Sequence, residues 1–274
     1  MWRRTVDCLG VAVGISSQVA ELEAPLSSVF ATYADAEGPP DLEYELVSAD
    51  RPTLRRGGQV ARSCPVAIDL VAVLELDLYR EVLARARGLL LHAGAVVGVS
   101  GAALVFAGRS GSGKSTLVRA LLGRGFAYLS EECVALEASG SCRGLARALH
   151  VDDDALALPA GFRAGEYPIR REEGVRITRL FHPPEQAIWR GIARTAAVVS
   201  IEHASDVAPA LTPLGGGESL SRLWPAVFRP DPSALAEAGP ALEGVARYHL
   251  TTATPDQAIE RAVALGADLG VHPR

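Results

Sequence analysis

The spacing of apolar and polar positions changes along the chain, and each change marks an element. Leu42, Tyr44 and Leu46 alternate with Glu43, Glu45 and Val47, which is the two-residue period of a half-buried strand. Gly57-Gly58 follows Arg55-Arg56 and offers a hairpin turn. From Asp69 the period lengthens. Leu70, Leu74, Leu78 and Val82 recur every four residues, with Val71 and Leu83 widening the stripe, so the pattern predicts an amphipathic helix ending near Gly88. Residues 1–87 therefore read as a small N-terminal α+β unit, with the domain boundary at the end of this helix.

Residues 88–274 read as an α/β domain. The order is a strand over Leu89–Val97, a turn at Gly98–Gly101, a strand over Ala102–Ala107, a Gly-rich loop, a helix over Lys114–Leu122 and a strand over Ala127–Ala135. The intervening helix implies that the last two strands are parallel. The run Gly88–Gly108 is long enough to cross a bilayer, and His92 is its one acid or base. Its glycines and β-branched residues fit two buried strands instead. Ser139–Val175 shows no sustained period. Ala196–Ile201 reads as a buried strand, and helices are expected at Glu218–Phe228 and Ser233–Ala246. A last helix starts with Thr254 as its cap, Pro255 in the first turn and Gln257 three residues after the cap.

Composition narrows the function classes. The chain has 274 residues, 49% hydrophobic and 22% charged, which is the balance of a soluble globular protein able to bury a core. It contains no asparagine, so it cannot be a protein kinase of the type that holds its second magnesium with an Asn. A net charge of −5 gives no global reason to expect a nucleic acid or a membrane surface as partner. Cys8, Cys64, Cys133 and Cys142 lack metal-ligand spacing and read as buried thiols in a reducing cytoplasm. Asp7 interrupts the apolar stretch after a basic start, which argues against a signal peptide.

Of 27 basic residues one is a lysine, Lys114, and it stands in a motif. Gly108-Arg109-Ser110-Gly111-Ser112-Gly113-Lys114-Ser115 satisfies G-x-x-x-x-G-K-[ST], and Thr116 follows. Curling successive backbone amides around a phosphate requires glycine where a Cβ would clash or forbid the angles. The helix that begins at Lys114 then offers its free amides to the same anion. Lys114 can reach the β- and γ-phosphates, and the Ser115 hydroxyl can complete a magnesium shell. The motif predicts ATP and Mg2+ as cofactors, with residues 108–116 as the binding loop.

After the helix comes Arg124-Gly-Phe-Ala-Tyr-Leu-Ser-Glu131-Glu132, where a strand delivers two carboxylates to the sheet end beside the loop. Adjacent acids there can divide the work of holding magnesium and taking the proton of an alcohol. At this point the sequence resembles a family. Leu91-His-Ala-Gly-Ala-Val-Val, the glycine loop and the Arg124–Glu132 stretch look like the catalytic core of the HPr serine kinase/phosphorylase C-terminal domain and its related kinases, over about Leu89 to Leu136. The resemblance implies an α/β P-loop kinase domain of HPr-kinase type. It places His92 near the reacting phosphate, makes Glu131 the general base and makes Glu132 the magnesium-side acid. The family usually has at least one Asp in this pair, whereas here both members are Glu.

The expected activity is transfer of the γ-phosphoryl of ATP to a serine/threonine-type hydroxyl of a peptide or protein, in a cytoplasmic chain with no nucleic-acid or membrane partner. The alternatives are an ATP-binding regulatory protein without transfer, or a kinase for a small serine-like hydroxyl metabolite. Homo-oligomerisation is compatible with the sequence. A protonated His92 beside a carboxylate would tune that group's pKa. One or two of Arg170, Arg171, Arg176, Arg179, Arg190 and Arg194 are candidates to clamp a phosphoryl group or an anionic acceptor. Asp152-Asp153-Asp154 reads as a solvated turn, and Leu214-Gly-Gly-Gly-Glu-Ser as a Gly-rich lead into a helix.

Overall fold

The computed structural model describes residues 1–151, 161–171, 174–204 and 208–274. It is a mixed α/β protein with three sheets and six α-helices among the described residues. Asp152, Asp153 and Asp154 lie outside the described residues, as do the side chains of Arg170, Arg171, Arg176 and Arg179.

In chain order, β1 (Trp2–Cys8) and β2 (Val11–Ser17) form a hairpin, and α1 (Glu23–Val29) crosses to β3 (Leu42–Ser48), which pairs parallel with β2. β4 (Pro52–Arg56) and β5 (Gln59–Ser63) continue the five-stranded sheet antiparallel. Their two-residue turn needs left-handed backbone at both positions, and Gly57 and Gly58 supply it with φ of 55° and 78°. Helix α2 (Asp69–Arg85) buries the expected stripe of Leu70, Val71, Leu74, Leu78 and Val82. Asp77 on its flank accepts hydrogen bonds at 2.8 Å from the Tyr44 hydroxyl and the Arg56 guanidinium.

The second region begins with β6 (Leu89–Val97) and β7 (Ala102–Ala107), the antiparallel hairpin expected from the apolar run. α3 (Lys114–Leu122) has the expected bounds. The strand expected over Ala127–Ala135 divides into β8 (Ala127–Ser130) and β9 (Cys133–Leu136), and neither pairs with β7. Both pair antiparallel with β6, on the edge away from β7. Next come β10 (Ser141–Gly144), β11 (Leu149–Val151), β12 (Arg163–Arg171), β13 (Gly174–His182) and β14 (Ala193–His203). The chain ends with β15 (Ala210–Pro213), α4 (Gly216–Leu223), α5 (Pro232–Leu242), β16 (Ala246–Thr252) and α6 (Pro255–Asp268). α4 stops short of the expected Phe228 because Pro225 lacks an amide and its ring opposes the carbonyl four residues back. α6 carries its expected cap, with the Thr254 hydroxyl accepting from the Gln257 amide.

The larger sheet runs β10-β9-β6-β7-β14-β16-β15, and β10 also pairs with β14, so five strands close into a ring. Its parallel pairs are β7–β14 and β14–β16, in place of the pair expected on either side of α3. Alternate residues of these strands, including Leu91, Val97, Val105, Leu129, Val134 and Val198, build one buried core.

The chain forms two compact units. One joins Met1–Ala86 to Arg147–Pro183, and the other joins Arg87–Ala146 to Pro184–Arg274. The first crossing falls after Ala86, and the chain then returns at Arg147. Residues expected within a continuous 88–274 domain form the three-stranded sheet β11-β13-β12 of the first unit. Within that unit, His182 Nε2 lies 3.2 Å from Ser28 Oγ, and Arg147 reaches Glu75 at 3.5 Å.

Candidate functional site

The site residues come together because the registers of four strands align at one level. Ala93 on β6 pairs with Ala107, the last residue of β7, and its amide donates to the Glu132 carbonyl at 3.2 Å on the other side. Ala107 pairs in turn with Ser200 on β14, and Ser200 with His249 on β16. One residue further along β6, the His92 carbonyl accepts from the Gly108 amide at 3.3 Å. The glycine loop therefore leaves β7 level with the acidic pair on one side and with Ser200 and His249 on the other.

The loop has the local geometry that the motif requires. Gly111 and Gly113 have φ of 80° and 90°, and Gly113 is the residue from which α3 starts. At Gly108 a Cβ would stand 2.6 Å from Ser112 Oγ and 3.0 Å from the Ile201 carbonyl oxygen, so a larger residue is excluded by contact. Ser112 Oγ is buried and makes no hydrogen bond. Lys114 is buried, and its ammonium donates to the carbonyls of Gly108 and Arg109, both at 2.8 Å. Desolvation lowers its pKa to about 8, against the opposing pull of Glu132 and Glu131.

The acidic pair occupies the interruption between β8 and β9. The fully buried Ser130 shapes it. Its hydroxyl accepts from the Glu132 amide at 3.3 Å and the Cys133 amide at 3.2 Å, and lies 2.9 Å from the carbonyls of Cys133 and Leu145. These bonds to a side chain stand in for ladder bonds, which is how the predicted strand is cut in two. Glu131 is 7% exposed, whereas the Glu132 side chain is 32% exposed and points one oxygen to within 3.9 Å of His92 Nε2. That separation is too long for a hydrogen bond. The two carboxylates thus differ in environment although they are adjacent.

Burial, and then the Lys114 charge, lower the His92 pKa despite Glu132, which favours the uncharged imidazole. Its ring lies 5.7 Å from that of Phe228. Of the candidate arginines, Arg190 and Arg194 have described side chains, and neither lines the cavity at the loop. Arg190 pairs with Glu185, and Arg194 pairs in register with Ala102, at the end of β7 remote from the loop. Arg109 and Arg222 line the cavity at the loop.

Sequence reasoning missed a cluster on the far side of the loop. His249 Nδ1 lies 2.8 Å from Ser200 Oγ, and its Nε2 lies 3.2 Å from Glu202, which also pairs with Arg222 at 3.1 Å. Burial and Arg222 lower the His249 pKa, and Glu202 opposes them. These groups and the loop line a cavity of ≈ 560 Å³. The sequence offered one cue, the end of an apolar strand in Ser-Ile-Glu-His; the partner histidine is supplied by register alone.

The donor set fits a phosphate: a cradle that a Cβ would fill, an orphaned hydroxyl and a lysine on a helix start. No group of three or more His, Cys, Asp or Glu set for a metal exists among the described residues. Magnesium on a nucleotide needs none, because one or two carboxylates plus phosphate oxygens and water complete its shell. No helix among the described residues is long and apolar enough to cross a membrane. All four cysteines are free and buried.

No family model matches the chain, and no curated protein matches it. Among solved structures, the HPr(Ser) kinase/phosphatase from Coxiella burnetii aligns with 65% of this chain and 92% of its own, at 12% identity and a TM-score of 0.29. A likeness of that size decides neither fold nor activity, so the function rests on this chain's own residues.

Proposed function

We propose that the unit carrying the glycine loop is an ATP-dependent kinase that transfers the γ-phosphoryl group to a serine/threonine-type hydroxyl of a peptide or protein. The observation that carries this reading is Lys114, a buried ammonium at the start of α3 that feels the charges of both Glu132 and Glu131. A buried cation held off its ordinary pKa beside two acids is costly to the fold, and functional sites are where such costs concentrate. In this reading the amides of residues 108–116 grip the triphosphate and Lys114 turns from the loop carbonyls to the β- and γ-phosphate oxygens. Glu131 takes the proton of the acceptor hydroxyl, and neutral His92 holds the space between Lys114 and Glu132. Magnesium, when bound, neutralises charge on the transferring group, and Ser115 with Glu132 would hold it.

A second reading, a small hydroxyl metabolite as acceptor, draws on the ≈ 560 Å³ cavity, which falls within the size range of pockets that enclose small molecules. Labelled ATP offered with a peptide pool and with a metabolite pool separates the two. Labelled polypeptide supports the first, a labelled small molecule the second, and binding without label in either leaves a nucleotide-binding regulator. Glu131→Gln is expected to keep ATP binding and lose transfer; retained transfer sinks the base assignment.

A further inference from the structure

Ser200 and Glu202 are alternate residues of β14, so they stand on one face of the strand, and the parallel register sets His249 of β16 opposite Ser200. The His249 ring touches both, with Nδ1 2.8 Å from Ser200 Oγ and Nε2 3.2 Å from Glu202. Burial and the Arg222 charge favour the uncharged ring, which carries one N–H. An ionised carboxylate can only accept, so that N–H belongs on Nε2 and Nδ1 keeps its lone pair. The Ser200 hydroxyl is then the donor to Nδ1; the Tyr248 carbonyl, its other acceptor, is farther off at 3.4 Å. An alcohol bonded to a basic nitrogen whose ring is oriented by a third group is set up as a nucleophile.

The surroundings decide what that hydroxyl can attack. Ser200, Glu202 and His249 line the ≈ 560 Å³ cavity together with Gly108 to Ser112 of the glycine loop and the guanidinium groups of Arg109 and Arg222. Curled loop amides and guanidinium groups are the donors that suit phosphate oxygens. Ser200 itself is buried, so a ligand inside the cavity is what its hydroxyl can meet. β14 flanks β7 on the side opposite β6, which places this hydroxyl across the loop from Glu131 and Glu132.

We propose that Ser200 is an internal phosphoryl acceptor, whose Oγ attacks the γ-phosphorus of a nucleoside triphosphate bound against the loop. A bond forms from Oγ to phosphorus, the bond from phosphorus to the β,γ-bridging oxygen breaks, and the nucleoside diphosphate leaves with that electron pair. The hydroxyl proton passes to His249 Nδ1. Glu202 is the positioning residue: it keeps the ring in the accepting tautomer and stabilises the imidazolium that forms. Arg109 and Arg222 offset charge on the transferring group. The proposal rests on the nucleotide-binding reading above and adds an acceptor that belongs to the chain itself.

The test incubates the full chain with γ-labelled ATP and magnesium, without any added acceptor. Peptide mass mapping locates the phosphate, and calorimetric titration measures ATP binding on the same samples. Phosphate is expected on Ser200 and is lost in Ser200→Ala. At saturating ATP, His249→Gln is expected to slow the step at least about a hundredfold, the contribution of a general base. Glu202→Gln should slow it by about tenfold or more, because its amide can donate to Nε2 and send the ring proton to Nδ1, and Glu202→Asp should recover part of the rate. The ring nitrogen resonances of His249 read the tautomer directly, with the proton on Nε2 in the unaltered protein. A chain that binds ATP but leaves Ser200 unmodified overturns the proposal alone. Phosphate on another residue in its place, an unslowed His249→Gln, or a ring proton on Nδ1 in the unaltered protein does the same. A chain that binds no ATP overturns the nucleotide reading and the proposal with it. Site mapping and the resonances need no variant, so both stay decisive if His249→Gln does not fold.

Discussion

Val118 on α3 occupies the space above Gly94 on β6: a Cβ at position 94 would stand 2.6 Å from Val118 Cγ2 and 3.7 Å from Glu131 Cα. The helix that starts at the glycine loop and the strand beside the acidic pair are thus spaced by the absence of one side chain. Gly94→Ala is expected to lower stability by about 1–3 kcal/mol, the usual cost of an added methyl in a packed core. ATP affinity should fall with it. Adding Val118→Ala should recover part of both losses, and a double-mutant cycle by thermal unfolding and ATP titration measures the coupling.

Lys114→Met removes the buried ammonium. Triphosphate binding is expected to drop at least a hundredfold at pH 7, the order seen when one charge-stabilising donor is lost. Stability should move the other way. In the folded, ligand-free protein the lysine loses its proton near pH 8, whereas in the unfolded chain it keeps it to about 10.4. The unfolded chain therefore holds more protons across that window, and the unaltered protein gains stability relative to the variant as pH rises through it, by about 3 kcal/mol at most. Denaturant unfolding at pH 7 and pH 10 reads the difference.

Ser130→Ala takes away the hydroxyl that caps the interruption between β8 and β9 and leaves two amides without their acceptor. A stability loss of about 1–3 kcal/mol is expected from the stranded polar groups. Transfer should fall more than ATP binding does, because the carboxylates move and the loop does not. A lower kcat with KM for ATP unchanged supports this; a rise in KM alone would place the effect in the loop.

His249 should report the charges around it. Arg222 lowers its pKa and Glu202 raises it. Arg222→Gln is expected to raise the imidazole pKa and Glu202→Gln to lower it further, as read from the ring resonances in an NMR titration. Because the folded pKa lies below the unfolded value, the protein loses stability as pH falls through about 6.5, where the unfolded histidine protonates first. Arg222→Gln should shrink that loss.

Much of this was legible in local pattern. The bounds of α3, the β6–β7 hairpin, the stripe of α2 and the cap of α6 follow from periods and end signals within a few residues of each other. The division of Ala127–Ala135 was not, because it depends on the Ser130 hydroxyl taking the Glu132 and Cys133 amides, a contact that a list of residue types does not encode. Ser200 and His249 stand 49 positions apart and meet only through parallel register, which no local signal encodes. The lowered pKa of His92 depends on burial and on the Lys114 charge, neither visible in a list of residue types.

The first unit is assembled from two stretches with 87–146 between them, and this bears on synthesis. At roughly 5–20 residues per second, its five-stranded sheet leaves the ribosome many seconds before the segment that completes the unit. The loop-bearing segment emerges in that interval, and it too waits for β14 and β16. The first unit is complete in sequence only once Pro183 is made, and the second later still, so a premature stop anywhere before Pro183 yields no complete unit at all. A nascent chain of this design depends on whatever shields exposed apolar strands until its second half arrives.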